Sequence, residues 1–415
     1  MKAQAMGLPL LLACRLFAQS DMQGMNMPGM NMASPAEDFL MGLSSGTSLN
    51  PASWPMPMLS HPLGSWNLNL MAQGFIVDTQ QTGPRGADKL YSTNWLMLSA
   101  EHKAGSRGAF QFDAMLSLEP ATITGERYPL LFQTGETAYG KPIVDGQHPH
   151  NLFMALGVTY AYKLSDRATL ELAFHPVGDP ALGPVAYPHR DSAMELPEAP
   201  ISHHLQDSTH ISDDVLTAGI AYEKFKLEAS GFYGSEPGEN RWIIQQGPLN
   251  SWATRLWYLP SKNWAAQVST GRLTHPEALE KGDQVRTTAS LSYSRQAWSS
   301  SLIWGRNHYT ATQQNGNSFL AETVAPVRKL NFITGRFELV DKNELFPGVT
   351  GAPNARIGEY TGGYTRDIPL FKKLETGLGA NITFYTLPDD IKPEYGNHPM
   401  SANVYIRFRV RPPVS

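Results

Sequence analysis

The sequence predicts an all-β fold: a transmembrane, antiparallel, up-and-down β-barrel of about 16 strands, with 14 as the alternative count, behind a disordered Met-rich N-terminal segment. Three observations predict it. Charged residues make up only 17% of the 415-residue chain, where soluble domains carry about 25%. Aromatic residues are plentiful, with 17 Phe, 9 Trp and 16 Tyr. Long segments alternate apolar and polar residues with a period of two, the signature of membrane strands. Beyond the N-terminus no apolar run approaches the roughly 18 residues of a spanning helix. A hydrophobic content of 41% is also too low for a helical membrane bundle. The net charge of -4 argues against a nucleic-acid partner, which would need a basic face.

The N-terminus reads as an export signal over residues 1–18, with Gly7-Leu8-Pro9-Leu10-Leu11-Leu12-Ala13 as its apolar stretch. Leu16-Phe17-Ala18 before Gln19 is an ordinary signal-peptidase site and leads into a polar mature start. Leu11-Leu12-Ala13-Cys14 is a competing lipobox that would lipidate Cys14. Cys14 is the only cysteine, so a disulfide scaffold and a cysteine metal centre are excluded. Residues 19–65 lack periodicity and are read as a flexible periplasmic segment or a lumen plug. Residues 66–411 are read as the barrel.

Ala109 to Glu119 shows the strand pattern most clearly. Phe110, Phe112, Ala114, Leu116 and Leu118 point one way; Gln111, Asp113, Met115, Ser117 and Glu119 point the other. The first set should meet lipid and the second should line the lumen. Leu152, Met154, Leu156, Val158, Tyr160 and Tyr162 form another outward set. The pattern recurs at Leu170–Phe174, Phe225–Ala229, Leu378–Phe384 and Val404–Val410. These runs approach the 9–11 residues needed to cross a bilayer at a tilt, where soluble strands run nearer 5–6. Connections alternate in length. Those near 78–89, 120–150, 176–212, 235–250, 274–284 and 342–354 are long, as outer loops are, and the short ones between them suit periplasmic turns. Trp66, Trp95, Trp252, Trp264 and Trp298 fall near strand ends, as an interfacial girdle would require.

Two groups of side chains carry candidate chemistry. Met22, Met25, Met27, Met30 and Met32 repeat at alternating spacing, and Met56 and Met58 follow. Thioethers are neutral, soft ligands suited to Cu(I), although Met also serves as a gap-filling hydrophobe. The histidines are the second group. The topology places His148, His150, His175, His189, His203, His204, His210, His275, His308 and His398 at the long-loop rim, and only His61 and His102 at the other end. His148 and His150 form a His-x-His pair whose rings share one side of an extended chain. His189, His203, His204 and His210 lie among Asp191, Glu195, Glu198, Asp207, Asp213 and Asp214, a ligand set suited to Zn, Mn, Fe or Cu(II). Loops this long are commonly functional, and one of them is expected to fold inward and narrow the pore. The bland alternative is loop punctuation, since five of the histidines precede proline. Gly42-Leu43-Ser44-Ser45-Gly46 matches a nucleophile elbow but lacks its strand–turn–helix setting, and no enzyme is read from it.

A Met-rich segment spanning Met22 to Met32, with Met56-Pro57-Met58, ahead of an alternating barrel resembles the copper-resistance outer-membrane protein B group. The resemblance lies in the order of parts. It implies residence in the bacterial outer membrane and copper binding or efflux, with copper as the bound metal. The functional expectation is therefore a barrel that binds or moves transition metal. Met22, Met25, Met27, Met30, Met32, Met56 and Met58 would capture Cu(I) on the periplasmic side. His148, His150, His203, His204 and His210 would hold Cu(II) at the outer rim. The expected partners are membrane lipid, a metal ion or small solute, and a periplasmic copper protein. The rival expectations are a general porin without metal specificity and a surface structural or adhesin barrel.

Overall fold

The structure is a computed structural model that describes residues 34–54, 56–278, 281–349 and 354–410. The strands are β1 (Leu59–Leu63), β2 (Trp66–Gln81), β3 (Lys89–Ala104), β4 (Gly108–Leu116), β5 (Tyr128–Ala138), β6 (Lys141–Gln147), β7 (Phe153–Ser165) and β8 (Ala168–Gly178). They continue as β9 (Ser212–Tyr222), β10 (Phe225–Tyr233), β11 (Ser251–Ser261), β12 (Trp264–Leu273), β13 (Gln284–Arg295) and β14 (Trp298–Tyr309). The last are β15 (Gln314–Arg328), β16 (Asn331–Lys342), β17 (Ala355–Ile368), β18 (Leu374–Thr386) and β19 (Met400–Val410). The strands β2, β3, β4 and β7 to β19 pair antiparallel in sequence order, and β19 closes onto β2 with Tyr405 opposite Val77. That makes sixteen barrel strands. β1 is an extra strand folded against the start of β2, and β5 and β6 form a separate hairpin.

Closure explains why so polar a chain can span lipid: every strand has a neighbour on both sides, so no ladder edge faces hydrocarbon. The alternating sets separate as the sequence requires. Leu227, Leu302 and Val404 point outward and are 52%, 58% and 59% exposed, whereas Lys226 and Glu228 point inward and are buried. An outward apolar face of this extent needs lipid to cover it. The barrel is of the bacterial outer-membrane type.

Tight turns gather at one rim, for example at 166–167, 223–224 and 329–330. Glu223 and Leu330 take positive φ there (51° and 67°), as the twist of two-residue hairpins demands. By the outer-membrane rule this rim faces the periplasm. The other rim carries the loops 82–88, 117–152, 179–211, 234–250, 274–283, 310–313, 343–354 and 387–399. The loop at 310–313 is short, so the alternation of lengths is not strict. The long loop at 387–399 escapes the sequence pattern.

Two sequence readings are corrected. Trp95 is not part of an interfacial girdle. It lies opposite Gln73, shares the inward face with Thr93 and Met97, and is 9% exposed. Leu152 and Met154 do not face lipid, because a bulge between Met115 and Leu116 shifts the β4–β7 register, and both are buried. Of residues 19–65, read as a flexible periplasmic segment or a lumen plug, the stretch from Ser34 to Trp54 is ordered and lies inside the barrel. A short helix, α1 (Pro35–Met41), is capped by Ser34 in a capping box with Glu37. Its Ala36 and Leu40 pack with Leu43 against inward-facing Ala109 and Ala161. Polar contacts complete the docking. Lys226 Nζ donates to the Thr47 carbonyl at 2.6 Å and Arg255 Nη2 to Thr47 Oγ1 at 3.3 Å.

Loop 179–211 fills most of the remaining lumen, and nearly every residue in it is buried. Its anchors are ionic and hydrogen-bonded. Arg190 reaches Glu322 Oε1 at 2.5 Å and Asp207 Oδ2 at 3.0 Å. Glu338 accepts from the backbone N–H groups of Ile201 and Ser202 at 3.0 and 2.8 Å. Glu195 pairs with Arg407, and with Arg409 at 3.1 Å. Plug and loop also meet each other: Ser45 Oγ donates to Asp179 Oδ2 at 2.8 Å and Asn50 Nδ2 to the His189 carbonyl at 2.9 Å.

Candidate functional site

Two loops from the outer rim carry the histidines inward. Loop 117–152 holds the β5–β6 hairpin and then the His148-Pro149-His150 run. Loop 179–211 carries a second short helix, α2 (His203–Gln206), followed by His210. Their convergence makes a continuous imidazole assembly. Ring centroids lie 5.9 Å apart for His148 and His204, 5.3 Å for His203 and His204, 5.2 Å for His203 and His210, and 5.4 Å for His150 and His210. The five histidines singled out from sequence are thus neighbours. They do not stand at an open rim as expected. All five are buried, because both loops fold into the barrel.

Most of these rings have Nδ1 fixed by an acceptor. His150 Nδ1 lies 2.9 Å from Glu119 Oε2, whose oxygen also accepts the His150 backbone N–H at 2.8 Å. His203 Nδ1 lies 2.8 Å from Asp207 Oδ1. His210 Nδ1 donates to the Asp207 carbonyl at 2.8 Å, which leaves Nε2 as the lone-pair nitrogen, and that atom is buried without a hydrogen bond. Tyr187 Oη lies 3.1 Å from His150 Nε2. Carboxylate- or carbonyl-anchored imidazoles with the far nitrogen facing inward are the arrangement that orients metal ligands. Burial holds His148, His203, His204 and His210 below the usual imidazole range, His203 at about 4. These rings are neutral at pH 7, the form that can ligate a cation.

At the outer end of the assembly His204 meets two carboxylates. His204 Nδ1 lies 3.4 Å from Glu236 Oε1 and 3.9 Å from Glu277 Oε1. One ligand atom from each of the three falls within 4.8 Å of the others. Neither ring nitrogen of His204 makes a hydrogen bond, and burial pushes Glu236 above the usual carboxylate range. A neutral imidazole between two crowded carboxylates is suited to a divalent cation. His148 continues the chain, with Nε2 2.9 Å from Glu136 Oε1. A cavity of about 380 Å³ lined by Glu136, Ile143, Glu277, Glu344 and Phe346 adjoins this end.

Glycines set how closely the loops approach the wall. A Cβ on inward-facing Gly305 would fall 2.2 Å from the Leu205 carbonyl oxygen, and one on Gly135 would fall 2.4 Å from the His204 ring. Gly135 also has φ +118°, a conformation that side chains disfavour.

The other sequence-predicted residues are placed as follows. Met22, Met25, Met27, Met30 and Met32 lie outside the described residues. Met56 and Met58 are half-buried and pack against a cluster of buried methionines in the wall. Of the acids that the sequence analysis named between residues 191 and 214, Asp207 is the one that touches an imidazole of the assembly. Glu195 binds barrel arginines, Glu198 accepts from Asn403 at 2.7 Å, and Asp191 accepts the Ser192 backbone N–H at 2.9 Å. His275 and His308 stay outside the lumen, beside Asp283 and Asn315. Sequence reasoning missed Glu119, Glu136, Tyr187, Glu236 and Glu277. Nothing in their local sequence marks them as partners of the imidazoles, and inward folding of the loops brings them together.

No family model matches this sequence, and no curated protein matches it. Solved structures match the fold. An anion-selective porin from Comamonas acidovorans aligns at TM-score 0.53 with 12% identity, over 82% of this chain and 99% of that one. Salmonella typhi OmpF, solved in complex with daunomycin, aligns at TM-score 0.53 with 9% identity, over 85% of this chain and 100% of that one. OmpT, an outer membrane protein of Vibrio cholerae, aligns at 0.50 with 6% identity, over 84% of this chain and 99% of that one. The shared property is the porin-type barrel.

Proposed function

We propose that this protein is an outer-membrane channel for small solutes or ions, closed at rest by its own chain. One observation carries the reading: the lumen is filled by loop 179–211, and that loop is held to the wall by ion pairs and hydrogen bonds such as Arg190–Glu322 and Glu338–Ser202. Buried ion pairs add little net stability, because desolvation offsets their attraction. A loop held this way can leave at modest cost if water enters and hydrates both partners together. An apolar anchor would lack that property. The porin-type architecture supports passage of solutes as the function served. The test is current across a planar bilayer. The proposal expects small, intermittent current from the intact protein and large, steady current once residues 184–206 are replaced by a short Gly-Ser linker. Silence from both proteins would end it.

A second reading concerns the cargo. The His204–Glu236–Glu277 group and the imidazole chain behind it favour a transition-metal cation. The Met-rich segment and its resemblance to the copper-resistance outer-membrane protein B group favour copper among such metals. Metal quantitation on refolded protein tests this reading. The intact chain is compared with one lacking residues 19–58 and with one in which His148, His150, His203, His204 and His210 are alanine. Copper at near-zero level in all three would remove the metal and leave the channel.

A further inference from the structure

We propose that the lumen wall carries a separate soft-metal site, for Cu(I) or Ag(I), formed by the thioethers of Met71, Met97 and Met115 with the imidazole of His189. It goes beyond the channel reading, which depends on conductance and not on metal.

Strand register creates the site. Met71 on β2 lies directly opposite Met97 on β3, and Met97 lies directly opposite Met115 on β4. All three face inward and are buried. Directly opposed residues have Cβ atoms about 4.5–5.5 Å apart, so three flexible thioethers form one row across three strands. The inner wall here is mixed, with Phe75 and Val77 on β2 and Tyr91 and Trp95 on β3 also inward and buried. The row's neighbours on the same inward faces are Asn69 and Gln73 on β2, Trp95 and Ser99 on β3, and Gln111 and Asp113 on β4. The row is set apart by its chemistry, since all three of its side chains are thioethers. Met154, turned inward by the β4–β7 bulge, packs into the same cluster, and Met56 and Met58 lie against it from the N-terminal segment.

The folded loop supplies the nitrogen. His189 Nε2 lies 3.1 Å from Met115 Sδ. Its ring stands 4.7 Å from the Trp95 indole at an interplanar angle of 38°. The Asn50 amide of the plug holds the His189 carbonyl at 2.9 Å, so plug and loop together fix the imidazole over the row. Neutral thioethers bind soft monovalent cations and reject hard ones, and an indole face beside the site adds attraction for a cation. Asp113, two residues along β4 from Met115 on the same face, places a carboxylate near the row. This donor set differs from that of His204, Glu236 and Glu277, so the two sites should select different ions.

The competing account is packing, since Met fills irregular gaps. Leu substitution separates the two, because it keeps bulk and apolarity while removing sulfur. The experiment uses full-length protein with Met22, Met25, Met27, Met30 and Met32 changed to Leu, so that the repeat they form contributes no thioether. Ag(I) is the redox-inert probe, titrated calorimetrically. The expected result is one Ag(I) per chain. Met97→Leu with Met115→Leu should weaken binding by about a hundredfold, and His189→Gln by about tenfold. Zn(II) should not compete. Heat-modifiable migration on gels confirms that each variant is a folded barrel. If the double variant fails to fold, Met115→Leu alone carries the test, with a loss of about tenfold expected. Unchanged Ag(I) affinity in the folded Leu variant, or displacement of Ag(I) by Zn(II), would overturn the proposal.

Discussion

The Asp207 carboxylate binds His203 Nδ1 at 2.8 Å through one oxygen and receives Arg190 Nη1 at 3.0 Å through the other. One acid inside the barrel thus ties an imidazole of the assembly to the arginine that anchors loop 179–211 on the wall. Its partners hold it well below the usual carboxylate range despite its burial. Charged at neutral pH, it stabilises the closed lumen.

Asp207→Ala should therefore open the barrel. The change leaves buried Arg190 with Glu322 and the Val185 carbonyl and removes the His203 acceptor. Breaking one side of a buried charge network costs about 3–5 kcal/mol, which here weakens the docking of the loop. Larger single-channel current and faster proteolysis within 179–211 are the expected readouts. Wild-type values for both would show that the loop is held by other contacts.

Acid should open it as well. Burial lowers His203 to about 4, and lowers His148, His204 and His210. Once the loop leaves, these rings return toward their ordinary value near 6.5. The released state then binds protons that the docked state cannot. Docking stability is full above about pH 6.5 and is lost as pH falls from there toward 4. Asp207, Glu119, Glu136 and Glu236 face these rings and oppose the effect without cancelling it, because the net shifts remain downward. Conductance recorded from pH 7.5 to 5 should rise, and a flat profile would count against buried neutral imidazoles.

Gly305→Val tests the steric side. The added side chain meets the Leu205 carbonyl oxygen, which would lie 2.2 Å from its Cβ. The Cβ position is fixed by the β14 backbone and the clashing atom belongs to the α2 backbone, so α2 must shift away from the wall. Overpacking of this kind costs about 1–3 kcal/mol. A rise in conductance without loss of the folded barrel is expected.

Much of the architecture is legible in the sequence, and the reason is local. Period-two alternation writes lipid and lumen faces into each strand separately, so Phe112 and Asp113 can be assigned without knowing their neighbours. The gathering of His148, His150, His203, His204 and His210 is also legible, since barrel topology delivers their loops to one rim. What escapes depends on register and on inward folding. Met71, Met97 and Met115 are far apart in sequence and meet only through strand pairing. Trp95 looks like a girdle residue until its pairing with Gln73 turns it inward. Residues 34–54 look unstructured because their partners, Lys226, Arg255 and Asp179, lie more than a hundred residues away.

The most direct measurement is current through a barrel whose loop is covalently locked. Ser192 Oγ on the loop lies 2.8 Å from Ser301 Oγ on β14, so Ser192→Cys with Ser301→Cys places two thiols for a disulfide, with Cys14 changed to Ser. Oxidised protein should be silent at pH 7.5 and at pH 5, and reductant should restore wild-type current and its rise in acid. Equal current from the locked and reduced forms would contradict the claim that loop 179–211 closes this channel.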